Sequence, residues 1–183
     1  MTRELAGQPI DWGYLEDGDK KLVVASTEEE GLVYVGSWDE PWDDFGEWAR
    51  RSYGTDVALR NAPTSVAPYA DELKQYFTGQ RKTFTQRFAL RGTAFQRDVW
   101  EAMSRIPYGK TASYADIAAA LGKPQASRAV GTAIGRNPVL VVAPCHRIVG
   151  KGGSLTGYRG GLVMKRQLLE LEGSIPIRVS LSE

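Results

Sequence analysis

The first half of the chain alternates short β-branched apolar runs with stretches whose apolar residues recur at helical spacing. Four polar residues separate the first two runs, which is typical of a β-hairpin. The aromatic residues of this half lie in these patterns, so we expect them to be core residues without recognisable chemistry. The predicted strands are residues 21–26, 31–36 and 84–90, and the predicted helices are a segment after Pro41 and residues 68–77.

Helical patterns dominate after a boundary predicted near Arg91-Gly92. Thr93 with Gln96, and Ser113 with Asp116, have the spacing of capping boxes, in which a side chain at each end satisfies a free backbone donor. We therefore predict a mixed α/β (α+β) fold. A small N-terminal α/β domain with a short β-sheet (1–91) precedes a mostly helical C-terminal domain (92–183). The predicted helices of the second domain are residues 95–106, 114–121 and 125–135.

The last two of these helices flank the turn Gly122-Lys123-Pro124 and are short and rich in small residues, which describes a helix-turn-helix. A generic helical hairpin looks similar, so the pattern alone leaves DNA binding open. Arg128 stands among small residues, and such a face can approach a surface closely while the long arginine fills the place of a displaced base. A solvent-facing arginine on a tightly packed helix is the alternative.

The two halves of the chain differ in charge although its net charge is only +1. Residues 1–90 carry 10 Lys and Arg against 16 Asp and Glu, whereas residues 91–183 carry 13 against 6. A basic second half suits a polyanionic partner, although chance clustering would look the same.

The composition, 42% hydrophobic and 25% charged, is that of an ordinary globular protein. The single cysteine excludes an intrachain disulfide and a zinc site built from several thiolates, which favours a reducing compartment. The amino terminus shows no apolar signal region, and no apolar stretch is long enough to span a bilayer. We therefore expect a cytoplasmic protein without membrane contact and without a metal ion.

The only cysteine and the only histidine are neighbours, Cys145 and His146, and they follow the apolar run 139–143. A thiolate is the nucleophilic form of cysteine, and a nearby histidine or positive charge can lower its pKa from about 8.5. The pair predicts a nucleophile beside the group that activates it. A buried, inert cysteine next to a structural histidine remains the alternative.

Several motifs of the second half, in order and at matching spacing, resemble the O6-alkylguanine-DNA alkyltransferase family. The resemblance is strong over residues 85–173 and weak over the amino-terminal half. It is specific because it rests on several motifs rather than on the segment around Cys145 alone. The motifs are residues 106–111, 127–131, 136–138, 144–149, 153–161 and 165–172.

This resemblance implies repair of DNA by direct reversal of damage. Proteins of this family rotate O6-alkylguanine out of the duplex and transfer its alkyl group to their own cysteine, here Cys145, and O4-alkylthymine is expected to react likewise. The chain has no second thiol to accept the alkyl group from the stable thioether, so each molecule acts once. The implied partner is double-stranded DNA carrying O6-alkylguanine, bound by a monomer that could act cooperatively; no cofactor is implied.

The family's catalytic roles fall on five residues of this chain. Cys145 would be the nucleophile, and His146 would take its proton through a bound water, since neighbours in an extended chain point apart. Glu172 would orient His146; its place at a predicted helix end, where negative charge is disfavoured, is consistent with such a partner. Asn137 would tie the recognition helix to the active-site segment, and Tyr114 would help to rotate the nucleotide and hydrogen-bond the guanine.

The resemblance also implies residues that contact DNA or surround the flipped base. Arg128 would occupy the place of that base, and the glycines of residues 152–161 would form a mobile loop around it. The implied DNA-binding residues are Arg128, Tyr114, Ser127, Ala129, Gly131, Thr132 and Lys123. The implied pocket residues are Ile134, Ile148, Tyr158, Arg159 and Gly160.

Some relatives carry a zinc site or an added methyl-accepting domain, and both need cysteines or histidines that this chain lacks. Alkyltransferase-like proteins bind the same lesions without the cysteine, so Cys145 argues against that group. Two other classes remain open. A helix-turn-helix DNA-binding or regulatory protein without transfer activity would use only the basic half, and a thiol hydrolase would use Cys145 and His146 over many turnovers.

Overall fold

The structure is a computed structural model that describes residues 8–175. It confirms the mixed α/β fold, with a sheet in the first half and a mostly helical second half. No helix in this range is both long and apolar enough to cross a membrane. The strands are β1 (Ile10–Asp17), β2 (Lys20–Thr27), β3 (Gly31–Val35), β4 (Leu59–Asn61), β5 (Ala112–Ser113) and β6 (Ile148–Val149). The helices are α1 (Trp42–Tyr53), α2 (Pro63–Phe77), α3 (Ala94–Ser104), α4 (Tyr114–Ala120), α5 (Ser127–Ile134) and α6 (Gly161–Leu171).

The N-terminal sheet has the strand order β3-β2-β1-β4 and contains the predicted hairpin as β2 and β3. The sequence reasoning missed β1, which pairs antiparallel with β2, and β4, which pairs parallel with β1. β1 buries few of its side chains and is rich in charged residues, so its pattern lacks the apolar run that marks β2. Helix α2 packs on β1, where a Cβ at Gly13 would lie 2.8 Å from Val66 Cγ2.

The predicted strand 84–90 is wrong. Only Phe88 forms an isolated bridge, with Leu32 of β3. The buried carboxylate of Glu72 accepts hydrogen bonds from the amides of Thr85 at 2.9 Å and Gln86 at 3.3 Å. Because a side chain satisfies these amides, the segment has no need of a strand partner for them.

Two helix boundaries also differ from the prediction. Helix α2 begins at Pro63, in the first turn where proline is favoured, and Pro68 lies inside it rather than at its start. The predicted helix 125–135 is a 3-10 turn, Pro124–Ala126, followed by α5.

The helix-turn-helix consists of α4 and α5, which pack on each other and on α3. Both predicted capping boxes are present, at Thr93 with Gln96 and at Ser113 with Asp116. The indole of Trp100 on α3 donates a hydrogen bond to the Ala133 carbonyl of α5 at 2.9 Å, which ties α5 to α3.

The main apolar core includes residues of both halves. Leu73 and Tyr76 of α2 belong to the same cluster of buried side chains as Trp100 and Cys145. The two halves therefore share a core, and the division into 1–91 and 92–183 remains a prediction.

Candidate active site

Cys145 lies in a 3-10 turn, Cys145–Arg147, between a buried apolar segment and β6. This corrects the expectation that Cys145 and His146 sit in extended chain: Pro144 precedes the turn, and β6 begins directly after it. The exposed fractions are 3% for Cys145, 0% for His146 and 8% for Arg147. Because the residues on both sides of the turn are apolar and buried, its thiol, imidazole and guanidinium groups lie inside the protein.

Asn137 connects the end of α5 to this turn. Its side-chain amide donates hydrogen bonds to Cys145 Sγ at 3.1 Å and to the Ala143 carbonyl at 2.8 Å. Its oxygen accepts from the Val139 amide at 2.9 Å. The residue is fully buried, so all three contacts are shielded from water and hold the sulfur in one place.

The sequence suggested that the surroundings of Cys145 lower its pKa, and in the structure the reverse holds. Burial raises the pKa of the Cys145 thiol, and the Asn137 hydrogen bond and the positive charges of Arg159 and Lys165 offset this only in part. The resting form at neutral pH is therefore the thiol. The sulfur would become a nucleophile only once a base removes this proton.

His146, the next residue, has one ring nitrogen engaged and one without a hydrogen bond to any described residue. Its Nε2 lies 2.7 Å from Glu172 Oε1, and its Nδ1 is buried and has no hydrogen-bond partner among the residues that the structure describes. Burial lowers the pKa of His146, although Glu172 acts in the opposite direction. Because a carboxylate only accepts hydrogen bonds, Nε2 carries the proton and Nδ1 keeps a free lone pair.

Glu172 stands at the end of α6 and gathers donors from three parts of the chain. Arg147 donates from Nη2 to Oε1 at 2.9 Å and from Nε to Oε2 at 3.0 Å, and the Gly109 amide donates to Oε2 at 3.0 Å. The hydroxyl of Tyr76, on α2, donates to Oε1. Burial disfavours the charged carboxylate, but hydrogen bonds from His146 and Arg147 outweigh it and lower the pKa of Glu172 to about 2.

We call this set of side chains the buried network. The sequence reasoning missed two of its members. Arg147 could have been found, since it follows His146 directly in the motif, whereas Tyr76 gave no signal because an aromatic residue at helical spacing is ordinarily core. The buried network comprises Tyr76, Asn137, Cys145, His146, Arg147 and Glu172.

Arg159 was expected to shape the pocket, and its guanidinium reaches the N-terminal half. It donates to Glu40 Oε1 at 2.6 Å, to the Tyr34 hydroxyl at 3.0 Å and to the Val35 carbonyl at 2.8 Å. A further hydrogen bond, of 3.1 Å, joins its Nε to the carbonyl of Asn137. Arg159 thus fastens its loop to strand β3. The hydroxyl of its neighbour Tyr158 is buried without a partner among the described residues.

Lys165, on helix α6, is hydrogen-bonded to the loop that contains Tyr158. This fully buried side chain donates to the carbonyls of Ile148, Thr156 (2.7 Å) and Gly157 (3.3 Å). Burial lowers the pKa of Lys165 to about 8. The hydroxyl of Tyr114 donates to the Thr156 carbonyl at 3.3 Å, so Lys165 and Tyr114 hold the middle of the loop while Arg159 holds its end.

The remaining predicted pocket residues are two core side chains and one glycine of the loop. Ile134 and Ile148 are buried in the main core. Gly160 is half-buried, and a Cβ there would lie 2.6 Å from the ring of Tyr158, so the loop requires a glycine at this position.

The predicted DNA-binding residues form one patch around α5, which we call the α5 face. Lys123, Arg128, Ala129 and Thr132 are exposed, and Ser127 and Gly131 are half-buried. Tyr114 lies behind them, since a Cβ at Gly131 would be 3.5 Å from its ring. The α5 face thus adjoins Tyr114, which in turn contacts the loop near Tyr158. Among residues 8–175, no group of His, Cys, Asp or Glu is arranged to hold a metal ion.

Two protein families match the chain. The 6-O-methylguanine DNA methyltransferase, ribonuclease-like domain, matches residues 12–90. The 6-O-methylguanine DNA methyltransferase, DNA binding domain, matches residues 94–174.

Similar proteins cover most of the chain. The inducible methylated-DNA–protein-cysteine methyltransferase of Bacillus subtilis is 50% identical over 161 residues, which are 88% of this chain and 89% of the relative. The methylated-DNA–protein-cysteine methyltransferase of Methanosarcina acetivorans is 40% identical over 164 residues, which are 83% and 92% of the two chains. The crystal structure of Mycobacterium tuberculosis OGT in complex with DNA superimposes with a TM-score of 0.75 at 36% identity, covering 90% of this chain and 93% of that one.

Proposed function

Because the chain belongs to the 6-O-methylguanine DNA methyltransferase family, we propose that Cys145 is the residue that accepts the alkyl group from O6-alkylguanine in double-stranded DNA. The protein is a methylated-DNA–protein-cysteine methyltransferase that repairs DNA by alkyl transfer. One observation carries the assignment of Cys145: the only thiol of the chain lies next to a buried histidine whose free Nδ1 lone pair is backed by an ionised glutamate.

The proton of Cys145 is the first to move. His146 Nδ1 accepts it, directly or through a water, and the charge of Glu172 stabilises the imidazolium that forms. Because burial raises the pKa of the thiol, the proton is still on the sulfur when the alkylated base arrives. Sγ then forms a bond to the alkyl carbon as the bond from that carbon to O6 breaks.

The departing guanine takes the electron pair of the broken bond and gains one proton, in net terms the one that left Cys145, so His146 returns to its neutral form and the normal base is restored. Tyr114, whose hydroxyl stands at the loop that would enclose the base, donates a hydrogen bond as this negative charge develops. Cys145 is left as a thioether, and the chain contains no second cysteine to release it. Each molecule therefore acts once, and O4-alkylthymine is a second substrate of the same step.

Access to the sulfur requires a flipped base, since only 3% of Cys145 is exposed. We assign insertion into the duplex to Arg128, which is exposed at the start of α5, with the other residues of the α5 face against the groove. Tyr158 and Gly160 form the pocket wall together with Ile134 and Ile148. Arg159 acts at this wall through its anchors Glu40 and Tyr34 rather than by projecting into the pocket.

The protein acts as a monomer in this account, since every residue with a proposed role lies in one chain. A single cysteine suits the reducing cytoplasm. We further propose that residues 1–91 and 92–183 are distinct domains, and that cooperative binding, where it occurs, involves copies arranged along DNA.

Transfer, regulation without transfer, and hydrolysis predict different outcomes with a duplex that carries O6-methylguanine labelled in the methyl group. The label should appear on the protein, at no more than one group per chain, and the DNA should contain guanine. Cys145→Ser should bind the same duplex and acquire no label. Label released into solution over many turnovers would indicate a thiol hydrolase, and binding with no loss of methyl from the DNA would indicate a regulator.

A further inference from the structure

We propose that Tyr76, on helix α2 of the N-terminal half, is a positioning residue for alkyl transfer, because its hydroxyl shares the Glu172 oxygen that holds His146 and so sets how strongly this carboxylate stabilises the imidazolium. The inference rests on the proposed function. It assigns a role in the proton transfer to a half of the chain in which the sequence showed no chemistry.

The geometry places three donors on a single oxygen, Glu172 Oε1: the Tyr76 hydroxyl, His146 Nε2 and, at 2.9 Å, Arg147 Nη2. Glu172 Oε1 accepts from the Tyr76 hydroxyl and lies 2.7 Å from His146 Nε2, and Tyr76 Oη is itself 3.4 Å from that nitrogen. Tyr76 and His146 have exposed fractions of 0%. Tyr76 therefore competes with His146 for the same acceptor, in surroundings where water cannot dilute the effect.

Every charged or titratable group near His146 bears on this competition. Arg147 comes from the same turn, Glu172 from the end of α6, Lys165 from within α6 and Cys145 from the adjacent position. Tyr108 and Tyr158 complete the surroundings of Tyr76 and Glu172. Among these groups, Tyr76 contributes a neutral hydroxyl donor to the very carboxylate oxygen that faces His146.

The hydroxyl can be changed without removing the packing. The ring of Tyr76 contacts the rings of Phe77, Phe84 and Tyr108 at centroid distances of 6.0, 5.2 and 6.0 Å. Phenylalanine keeps these contacts and loses only the donor. Glu172 retains Arg147 and Gly109 as partners in that variant, so it stays ionised.

The expected direction follows from charge. Without the tyrosine hydrogen bond, Oε1 keeps more negative charge for His146, which stabilises the imidazolium and raises the pKa of His146. A stronger donor at position 76 should lower it. Since the chain contains one histidine, NMR titration of the imidazole reports this pKa without overlap from other residues.

The test compares Tyr76→Phe, 3-fluorotyrosine incorporated at position 76, and Tyr69→Phe, a control on the same helix outside the buried network. The imidazole of the DNA-free protein should titrate on the order of half a pH unit higher in Tyr76→Phe and lower in the fluorotyrosine protein. Tyr69→Phe should match the wild type. The acid limb of the single-turnover transfer rate should move in the same directions.

A titration that is unchanged in both position-76 proteins, or that moves downward in Tyr76→Phe, would overturn the role of Tyr76. The fluorotyrosine protein keeps the tyrosine ring and hydroxyl, so it gives an answer even where Tyr76→Phe folds poorly. The titration involves no DNA, so it separates the two claims. Shifted titrations without alkyl transfer would support the interaction of Tyr76 with Glu172 and refute the proposed function. Alkyl transfer with unshifted titrations would support the proposed function and refute the role of Tyr76.

Discussion

The buried network and the α5 face are built in opposite ways. In the network, Glu172 has four side-chain or backbone partners and Asn137 has three. On the α5 face, the long side chain of Arg128 is exposed among small residues. The hydrogen bonds of Glu172 and Asn137 are therefore present in the free protein, whereas in our proposal the α5 face takes its partners from DNA.

Because of this difference, substitutions in the two regions should change the stability of the protein by different amounts. Removing one partner of a buried ion pair leaves an uncompensated charge, which costs about 3–5 kcal/mol of stability. Substitutions on an exposed face usually change stability by less than about 0.5 kcal/mol. We therefore expect changes in the network to affect folding and chemistry together, and changes on the α5 face to affect only the encounter with DNA.

The largest expected effect is that of Glu172→Gln. This change leaves Arg147 buried with a neutral partner and removes the charge that stabilises the His146 imidazolium, so the free energy of unfolding should fall by about 3–5 kcal/mol and alkyl transfer should be lost. Urea denaturation measures the first effect. Glu101→Gln is the matched control, because Glu101 pairs with Arg105 at 2.7 Å on the surface with 71% of its side chain exposed. Its unfolding free energy should stay within about 0.5 kcal/mol of the wild type.

The same variant has a defined pH dependence. The pKa of Glu172 is lowered from 4.5 to about 2 in the folded protein, so the stability from its charge is fully present above about pH 5 and is lost as pH falls toward 2. The difference in unfolding free energy between wild type and Glu172→Gln should accordingly narrow over this range. A difference that stays constant from pH 7 to about pH 2 would contradict the assignment of an ionised Glu172.

Arg128→Ala should have a smaller effect, confined to DNA. Flipping a base costs a few kcal/mol, and loss of the side chain that fills its place should slow repair of duplex DNA by about tenfold or more. Reaction with a free O6-alkylguanine base and the unfolding free energy should remain near wild type. Single-turnover rates on both substrates measure this split. Arg105→Ala, which removes the same charge from an exposed site on the same half, is the control. Equal losses on duplex and free base would refute the role of Arg128.

The smallest expected effect is that of Glu40→Gln, a change in the N-terminal half, on the pKa of Cys145 in the C-terminal half. Glu40 neutralises part of the Arg159 charge, and that charge acts to lower the pKa of Cys145. Glu40→Gln should therefore lower the pKa of Cys145 by on the order of half a unit. The rate of alkylation by a small electrophile as a function of pH measures the change. Asp44→Asn, in the first turn of helix α1 and four residues after Glu40, removes an equal charge and should leave the thiol unchanged; a thiol pKa that rises or stays constant in Glu40→Gln would contradict this coupling.

Local patterns carried the sequence predictions that succeeded. The β2–β3 hairpin and both capping boxes depend on residues a few positions apart, so a short stretch of sequence is enough to predict each of them. The strand predicted at 84–90 failed where the carboxylate of Glu72, a residue on α2, takes two of its amides, those of Thr85 and Gln86. A single charged side chain on another element gives no periodic signal in the segment that it affects.

The site was predicted to different depths in its different parts. Cys145 and His146 are visible as a unique adjacent pair, and the family resemblance supplied Glu172 and Asn137. Tyr76 was invisible, because it meets Glu172 across 96 positions of sequence and sits in an ordinary amphipathic helix. The prediction of a lowered pKa for Cys145 had the wrong direction. The burial that raises this pKa depends on how the whole core packs around a short turn, which the sequence does not show.

The most direct test of the account is the intact mass of the protein after reaction with excess duplex carrying O6-methylguanine, followed by peptide mapping. The account predicts a gain of one methyl group per chain that does not increase with more substrate, located on the peptide that contains Cys145. A protein whose mass is unchanged although it binds the duplex, or whose methyl group lies on another residue, would contradict it.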